Sequence, residues 1–187
     1  MPTRVQRVPE TWPVLHLESE IPIWSGLSVD GLVSRPRRFS MVDLRTLGVE
    51  ERTLAVHCVW GWSRTDPVWQ GIGMERLLEF VGPLGDHVTV RAASDSYSAC
   101  LPVADAARGM LVWSRDGEDL RPEYGGPLRY LPPDDHWGYK GVKWAARVTV
   151  GDRFVAGFWE SKVADAKGRI PDDVELPGPS SQERETE

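Results

Sequence analysis

The sequence predicts an α+β domain built mainly of β-strands. Short segments rich in Val, Thr and aromatic residues recur along the chain, separated by Gly, Pro and Asp turn signals. Few stretches carry helical spacing, and those are short. Neither a G-x-G-x-x-G nor a P-loop pattern is present, and strands do not alternate with helices, which argues against a βαβ nucleotide-binding fold.

Residues 1–22 read as an extended arm interrupted by Pro2, Pro9, Pro13 and Pro22. Gly26 to Val33 alternates and contains the Asp30-Gly31 turn signal, so it reads as strand and turn. Ser40 and Asp43 form a capping-box-like start, with Asp where Glu or Gln is preferred, for a short helix ending near Gly48. Thr53 to Val59 is rich in β-formers and reads as one buried strand. The amphipathic MERLLEFV segment after Gly73 predicts a helix stopped by Gly82 and Pro83. His87 to Ala92 and Tyr97 to Val103 read as strands, followed by one helical turn from Pro102 to Gly109. Asp116-Gly117 predicts a hairpin between Val112-Trp113 and Asp119-Leu120. Gly126 to Leu131 reads as a strand. Lys143 to Val150 alternates, with Trp144, Ala146, Val148 and Val150 expected on one face. Past Arg169 the chain turns polar, rich in Pro, Ser and Glu. The expected organisation is one domain over 1–168 and a flexible polar tail over 169–187.

A chain of 187 residues is long enough for one domain with a sizeable core. The formal net charge of −6 argues against general nucleic-acid binding, which needs clustered Lys and Arg, but permits a local basic pocket. No apolar run approaches the roughly 20 residues that span a bilayer. Met1 to Glu20 has no continuous apolar stretch of the secretory kind. The expected compartment is the cytoplasm, where Cys58 and Cys100 would be free thiols. Nine tryptophans suit either a large aromatic core or a half-polar pocket, since a buried indole N–H needs an acceptor.

Two segments carry chemistry. In His57-Cys58-Val59-Trp60-Gly61-Trp62-Ser63, a cysteine ends an apolar strand ahead of a Gly and aromatic loop. Its sulfur would stand at a pocket rim, as a soft ligand for a redox transition metal whose other ligands come from a cofactor or solvent. The bland alternative is a small buried hydrophobe. In the second segment, Arg129, Lys140 and Lys143 lie close to four glycines and several aromatics. Arg offers a planar fork and Lys a point charge to an anionic small molecule. The alternative there is a solvated loop balanced by Asp134 and Asp135.

Taken in order, residues 57–63 (HCVWGWS), 125–129 (GGPLR) and 138–144 (GYKGVKW) resemble the molybdopterin-binding domain of sulfite oxidase-like oxidoreductases. Val29 to Val33 and Gly157 to Glu160 resemble the flanking motifs, so the likeness runs from about Trp12 to Trp159 and is greatest to the small stand-alone prokaryotic members. The resemblance implies mainly β mixed sheets with short helices, and molybdenum held by one molybdopterin. It implies Cys58 as the metal ligand and Arg129 as the arginine that binds the pterin phosphate. Gly141, Val142 and Lys143 would close around the pterin. His57 and, on the N-terminal arm, His16 would support the cofactor. Asp95 and Tyr97 match an Asp-Gly-Tyr segment near the reacting centre, and Trp60 and Trp62 would shape the substrate pocket.

The implied reaction is two-electron oxygen-atom transfer on a small molecule, with electrons exchanged with a separate donor or acceptor protein. There are departures. Asp-Gly-Tyr is Asp95-Ser96-Tyr97, Pro132 to Trp137 looks like an insertion, and no arginine cluster follows Cys58, which weakens sulfite or nitrate as substrate. These departures motivate a second expectation, a metal-free anion-binding or partner-binding module of the same fold. A third is a thiol enzyme with Cys58 as nucleophile and a nearby His as base. A zinc site from both cysteines and two histidines has no supporting spacing.

Overall fold

A computed structural model describes Trp12, residues 20–162 and residues 165–177. The strands, in chain order, are β1 (Leu27–Gly31), β2 (Arg37–Phe39), β3 (Glu50–Thr53), β4 (Val56–Cys58), β5 (Trp62–Arg64) and β6 (Val68–Gly73). They continue with β7 (His87–Ala92), β8 (Ser98–Pro102), β9 (Met110–Arg115), β10 (Glu118–Asp119), β11 (Arg129–Leu131) and β12 (Ala145–Gly151). Three short helices interrupt them: α1 (Met41–Leu47), α2 (Met74–Val81) and α3 (Val103–Arg108). Single 3-10 turns form at Pro122–Tyr124 and Gly138–Lys140.

The strands make two larger sheets and a hairpin. The first sheet runs β2-β1-β12-β7-β8 and is mixed, because β1 and β12 are parallel. The second runs β10-β9-β6-β3, with β11 also paired to β9. The pair β4-β5 stands apart.

The main core lies between the two sheets and α2. Alternation on β7 sends Val88, Val90 and Ala92 into it. Helix α2 sends Met74, Leu77, Leu78 and Val81, the one-sided spacing its sequence predicts. It ends at Gly82, whose φ of 65° closes the helix with a left-handed cap. Strand β9 is buried on both faces. Leu111 and Trp113 enter the main core, while Met110 and Val112 enter a second cluster with Trp12, Leu54, Val56 and Trp69. A third cluster gathers Trp137 and Tyr139 with Val59, Trp159, Ile170, Val174 and Leu176.

Several elements depart from their expected bounds. Thr53 to Val59 is not one strand. The chain leaves the second sheet after Thr53, and β4 takes a new partner in β5. Side chains satisfy the backbone at the break: Ala55 N–H donates to Asp134 Oδ1 at 2.7 Å, and Leu54 C=O accepts from Trp69 Nε1 at 3.0 Å. Strand β12 carries a bulge between Ala145 and Arg147. Ala145, rather than Ala146, therefore joins Val148 and Val150 in the core. Packing also runs past the expected boundary at 168. Ile170 N–H donates to Asp135 C=O at 2.8 Å, and Ile170, Val174 and Leu176 cover Trp137 and Tyr139. The polar composition of this stretch hid three apolar residues that reach an aromatic surface.

The reciprocal cap predicted for α1 is present: Asp43 N–H donates to Ser40 Oγ at 3.2 Å and Ser40 N–H to Asp43 Oδ2 at 2.8 Å. Ser40→Ala removes one half of it and is expected to cost about 1 kcal/mol in urea denaturation, with an unchanged m-value.

Candidate functional site

Three chain segments distant in sequence are linked in series through the Gly138–Lys140 turn. The first is the β4-β5 hairpin. Cys58 ends β4 opposite Trp62, and Gly61 at φ 84° closes the loop, donating its N–H to Cys58 C=O at 3.0 Å. His57 and Cys58 lie on opposite faces of the strand. His57 is buried, with Nδ1 2.6 Å from Ser63 Oγ, whereas Cys58 is half-buried. Burial pushes the Cys58 thiol above its usual range, partly opposed by the Trp60 backbone N–H, and burial holds the His57 ring below the usual imidazole value.

This arrangement speaks against a thiol enzyme using His57 as base: that ring bonds Ser63 and the thiol is raised instead of activated. Among the described residues no group of three His, Cys, Asp or Glu side chains could hold a metal ion. A metal at Cys58 would need ligands from outside that set.

The second segment is the Gly138–Lys140 turn. Trp137 and His57 form a parallel bridge, and a side chain on Gly138 would press 3.1 Å from His57 C=O. Tyr97 Oη donates to Tyr139 C=O from the other side. The turn is held by Lys140, which is fully buried. Its Nζ donates to Glu160 Oε1, to Cys100 C=O at 2.7 Å and to Ala166 C=O at 2.6 Å. Lys140 therefore belongs to the framework and is no pocket cation, a correction to the grouping read from sequence.

The third segment is residues 125–129. Gly126 packs so tightly that a Cβ there would fall 1.7 Å from Leu120 C=O. Arg129 is buried. Its Nη1 donates to Tyr124 C=O at 3.1 Å, and its Nε finds no acceptor among the described residues. Burial, then the charge of Arg115, lowers its pKa to about 10, with Tyr97 acting in the opposite sense. Lys143 Nζ donates to Glu123 C=O at 3.0 Å. Tyr130 and Val142 exchange backbone hydrogen bonds, joining this segment to the turn. Asp134 and Asp135 do not balance these cations. The first accepts from Ala55 N–H, and the second pairs with Arg108 and Arg169.

The remaining candidates divide. Trp60 is exposed and meets Trp159 edge-on at 6.5 Å, beside Phe158 and Tyr97. Trp62 turns the other way, toward Trp12 at 6.5 Å. The side chain of Val142 lies in the main core, and Gly141 packs against Tyr130 C=O, so both offer only backbone to a ligand. Asp95 is a turn residue at φ 59° whose exposed carboxylate faces Arg91 at 3.9 Å. His16 lies outside the described residues. Sequence reasoning assigned no role to Ser63 or Glu160. The role of Glu160 becomes visible only once Lys140 is seen beside it.

A family model described as the oxidoreductase molybdopterin binding domain matches residues 18–159. The chain belongs to this family. It is 32% identical over 163 residues to the uncharacterised oxidoreductase YuiH of Bacillus subtilis, covering 83% of this chain and 81% of that one. It is 30% identical over 139 residues to a putative protein-methionine-sulfoxide reductase subunit, YedZ1, of Azospira oryzae, covering 73% of this chain and 52% of that relative. The chain thus spans about half of YedZ1. Among solved structures, the sulfane dehydrogenase SoxCD of Paracoccus pantotrophus superposes with a TM-score of 0.61 at 23% identity, over 75% of this chain and 40% of that one. The mainly β, mixed-sheet fold expected from the sulfite oxidase-like motifs is borne out by this likeness. Among the described residues no helix is long and apolar enough to cross a membrane.

Two outcomes test the framework of this molybdopterin-binding domain. Ser63→Ala leaves a buried imidazole nitrogen without its partner and is expected to lower stability by about 1–3 kcal/mol in chemical denaturation. Glu160→Gln strands the buried Lys140 charge and is expected to cost more, about 3–5 kcal/mol by the same measurement.

Proposed function

We propose that this chain is a molybdopterin-dependent oxidoreductase with Cys58 as the protein ligand to molybdenum. The observation that carries the reading is a half-buried cysteine on a hairpin packed against the Gly138–Lys140 turn, which the Tyr130–Val142 bridge joins to the segment of a buried arginine whose Nε has no acceptor among the described residues. A soft sulfur and an unsatisfied guanidinium are the donor set that a metal-dithiolene with a phosphate tail needs. When bound, such a cofactor supplies two-electron oxygen-atom transfer to or from a lone pair on a small molecule.

The chain's own residues do the rest. Cys58 becomes a ligand by losing its proton, and the Trp60 N–H lies where it stabilises the thiolate against burial. His57, pinned by Ser63, keeps the hairpin's inner face in place. Arg129 receives the phosphate on its Nε, and Lys143, fixed on Glu123 C=O, adds charge beside it. Tyr97 bonds the turn and borders the pocket, and Trp60 forms an aromatic rim that favours an organic substrate over a small oxyanion. Electrons pass to or from a separate protein, a reading supported by the naming of YedZ1 as a subunit.

Metal analysis of the wild type beside Cys58→Ala, both expressed where molybdopterin is made, tests this. Near-stoichiometric molybdenum with releasable pterin in the wild type, and depletion of the metal in the variant, is the expected result. A well-folded wild type without molybdenum would overturn the enzyme and leave a fold kept for binding anions or partners.

A further inference from the structure

A second guanidinium shares a neighbour with Arg129, since both contact Tyr124, and none of the motifs singled it out. Arg115 closes β9. Its guanidinium carbon lies 4.7 Å from the ring centre of Trp12 and 4.9 Å from that of Tyr124. Two aromatic rings therefore hold the planar fork, and its N–H donors can reach an acceptor only near its own plane. Nε faces Asp116 Oδ2 at 3.5 Å. The buried Nη1 has no acceptor among the described residues.

Arg129 shares this situation and this neighbour. It is 7% exposed, bonds Tyr124 C=O with Nη1, lies over Trp69 at 5.9 Å and leaves Nε unsatisfied. Arg64 and Arg121 add positive charge around Arg115. The nearby carboxylates are already engaged, Asp66 with Arg64, Asp116 with Arg115 and Glu123 with Arg121. Among the described residues no carboxylate pairs with Arg129. Two like charges around one tyrosine, each with a buried donor unmet, are costly unless an anion supplies the acceptors.

We propose that Arg115 and Arg129 form a paired clamp for one tetrahedral oxyanion, the phosphate of the pterin cofactor, with Trp12 and Tyr124 as positioning residues for Arg115. This rests on the function proposed above and deepens it. The same chemistry would also receive a free oxyanion, so the test separates the two sources.

The probe is inorganic phosphate, titrated at constant ionic strength into protein made in a host that lacks molybdopterin, with the melting temperature as readout. The wild type is expected to be stabilised saturably. Arg115→Gln and Arg129→Gln should each raise the half-saturating concentration about tenfold, the scale of one lost charge-assisted hydrogen bond. Arg147→Gln, a control on the far sheet, should leave it unchanged. Wild type loaded with cofactor should no longer respond, because its own phosphate fills the clamp.

No response in the wild type, or an Arg115→Gln curve matching the wild type, overturns the clamp. A loaded protein that responds like the unloaded one overturns the cofactor assignment in favour of a free oxyanion. Should Arg115→Gln fail to fold, Arg115→Lys decides: it keeps charge and bulk but not the fork, and unchanged half-saturation sinks the proposal. Pterin and molybdenum content of the wild type are measured in parallel. A loaded wild type with an unaltered Arg115→Gln titration overturns the clamp alone. A wild type that never holds pterin overturns the cofactor reading itself.

Discussion

The buried pair of Lys140 and Glu160 is the constraint on which the site depends. Lys140 reaches from the Gly138–Lys140 turn into the protein, donating to Cys100 C=O on β8 and Ala166 C=O as well as to Glu160. Glu160 in turn accepts from Cys100 N–H at 2.8 Å and Gly157 N–H at 2.6 Å. One ion pair thus ties the first sheet, the turn and the chain beyond β12. Isolated, neither charge could remain in so dry a place; together, with every oxygen and proton given a partner, they can. Burial lowers the lysine's pKa, with the glutamate acting in the opposite sense.

From that anchor the site follows by contact. The turn stays where Tyr97 can bond Tyr139 C=O and where the backbone of β4 passes Gly138. Cys58 is therefore positioned by a hairpin that owes its place to the turn, and the turn to a buried charge pair well behind it. The arginines are positioned from the other sheet, through β9, β11 and the tight packing of Gly126 under Leu120 C=O. The structure puts a buried framework behind the hairpin and leaves Trp60 at the surface.

Local patterns were legible where one residue's neighbours in sequence are also its neighbours in space. The α1 capping box, the α2 stripe, the β7 alternation and the Asp116-Gly117 hairpin are of this kind. The reading failed where distant groups intervene. Asp134 and Trp69 break the Thr53 to Val59 run in two, and a bulge shifts the face of β12 by one residue. Lys140 looked like a pocket cation because its glycine-rich setting matches that of Arg129, while its partner lies twenty residues further on. Arg115 carried no signal, since an Arg at a strand end is ordinary until two rings and a second guanidinium are found around it.

By itself the sequence determined the class of fold and the family, together with the three segments proposed to form the site. These properties reside in residue types, short periods and ordered motifs, which survive without coordinates. The tertiary structure alone decided which charges are satisfied within the framework and which keep an unmet donor. That choice depends on burial and on acceptors supplied from far along the chain: Lys140 finds three and is satisfied, whereas Arg115 and Arg129 each keep a buried N–H without one among the described residues.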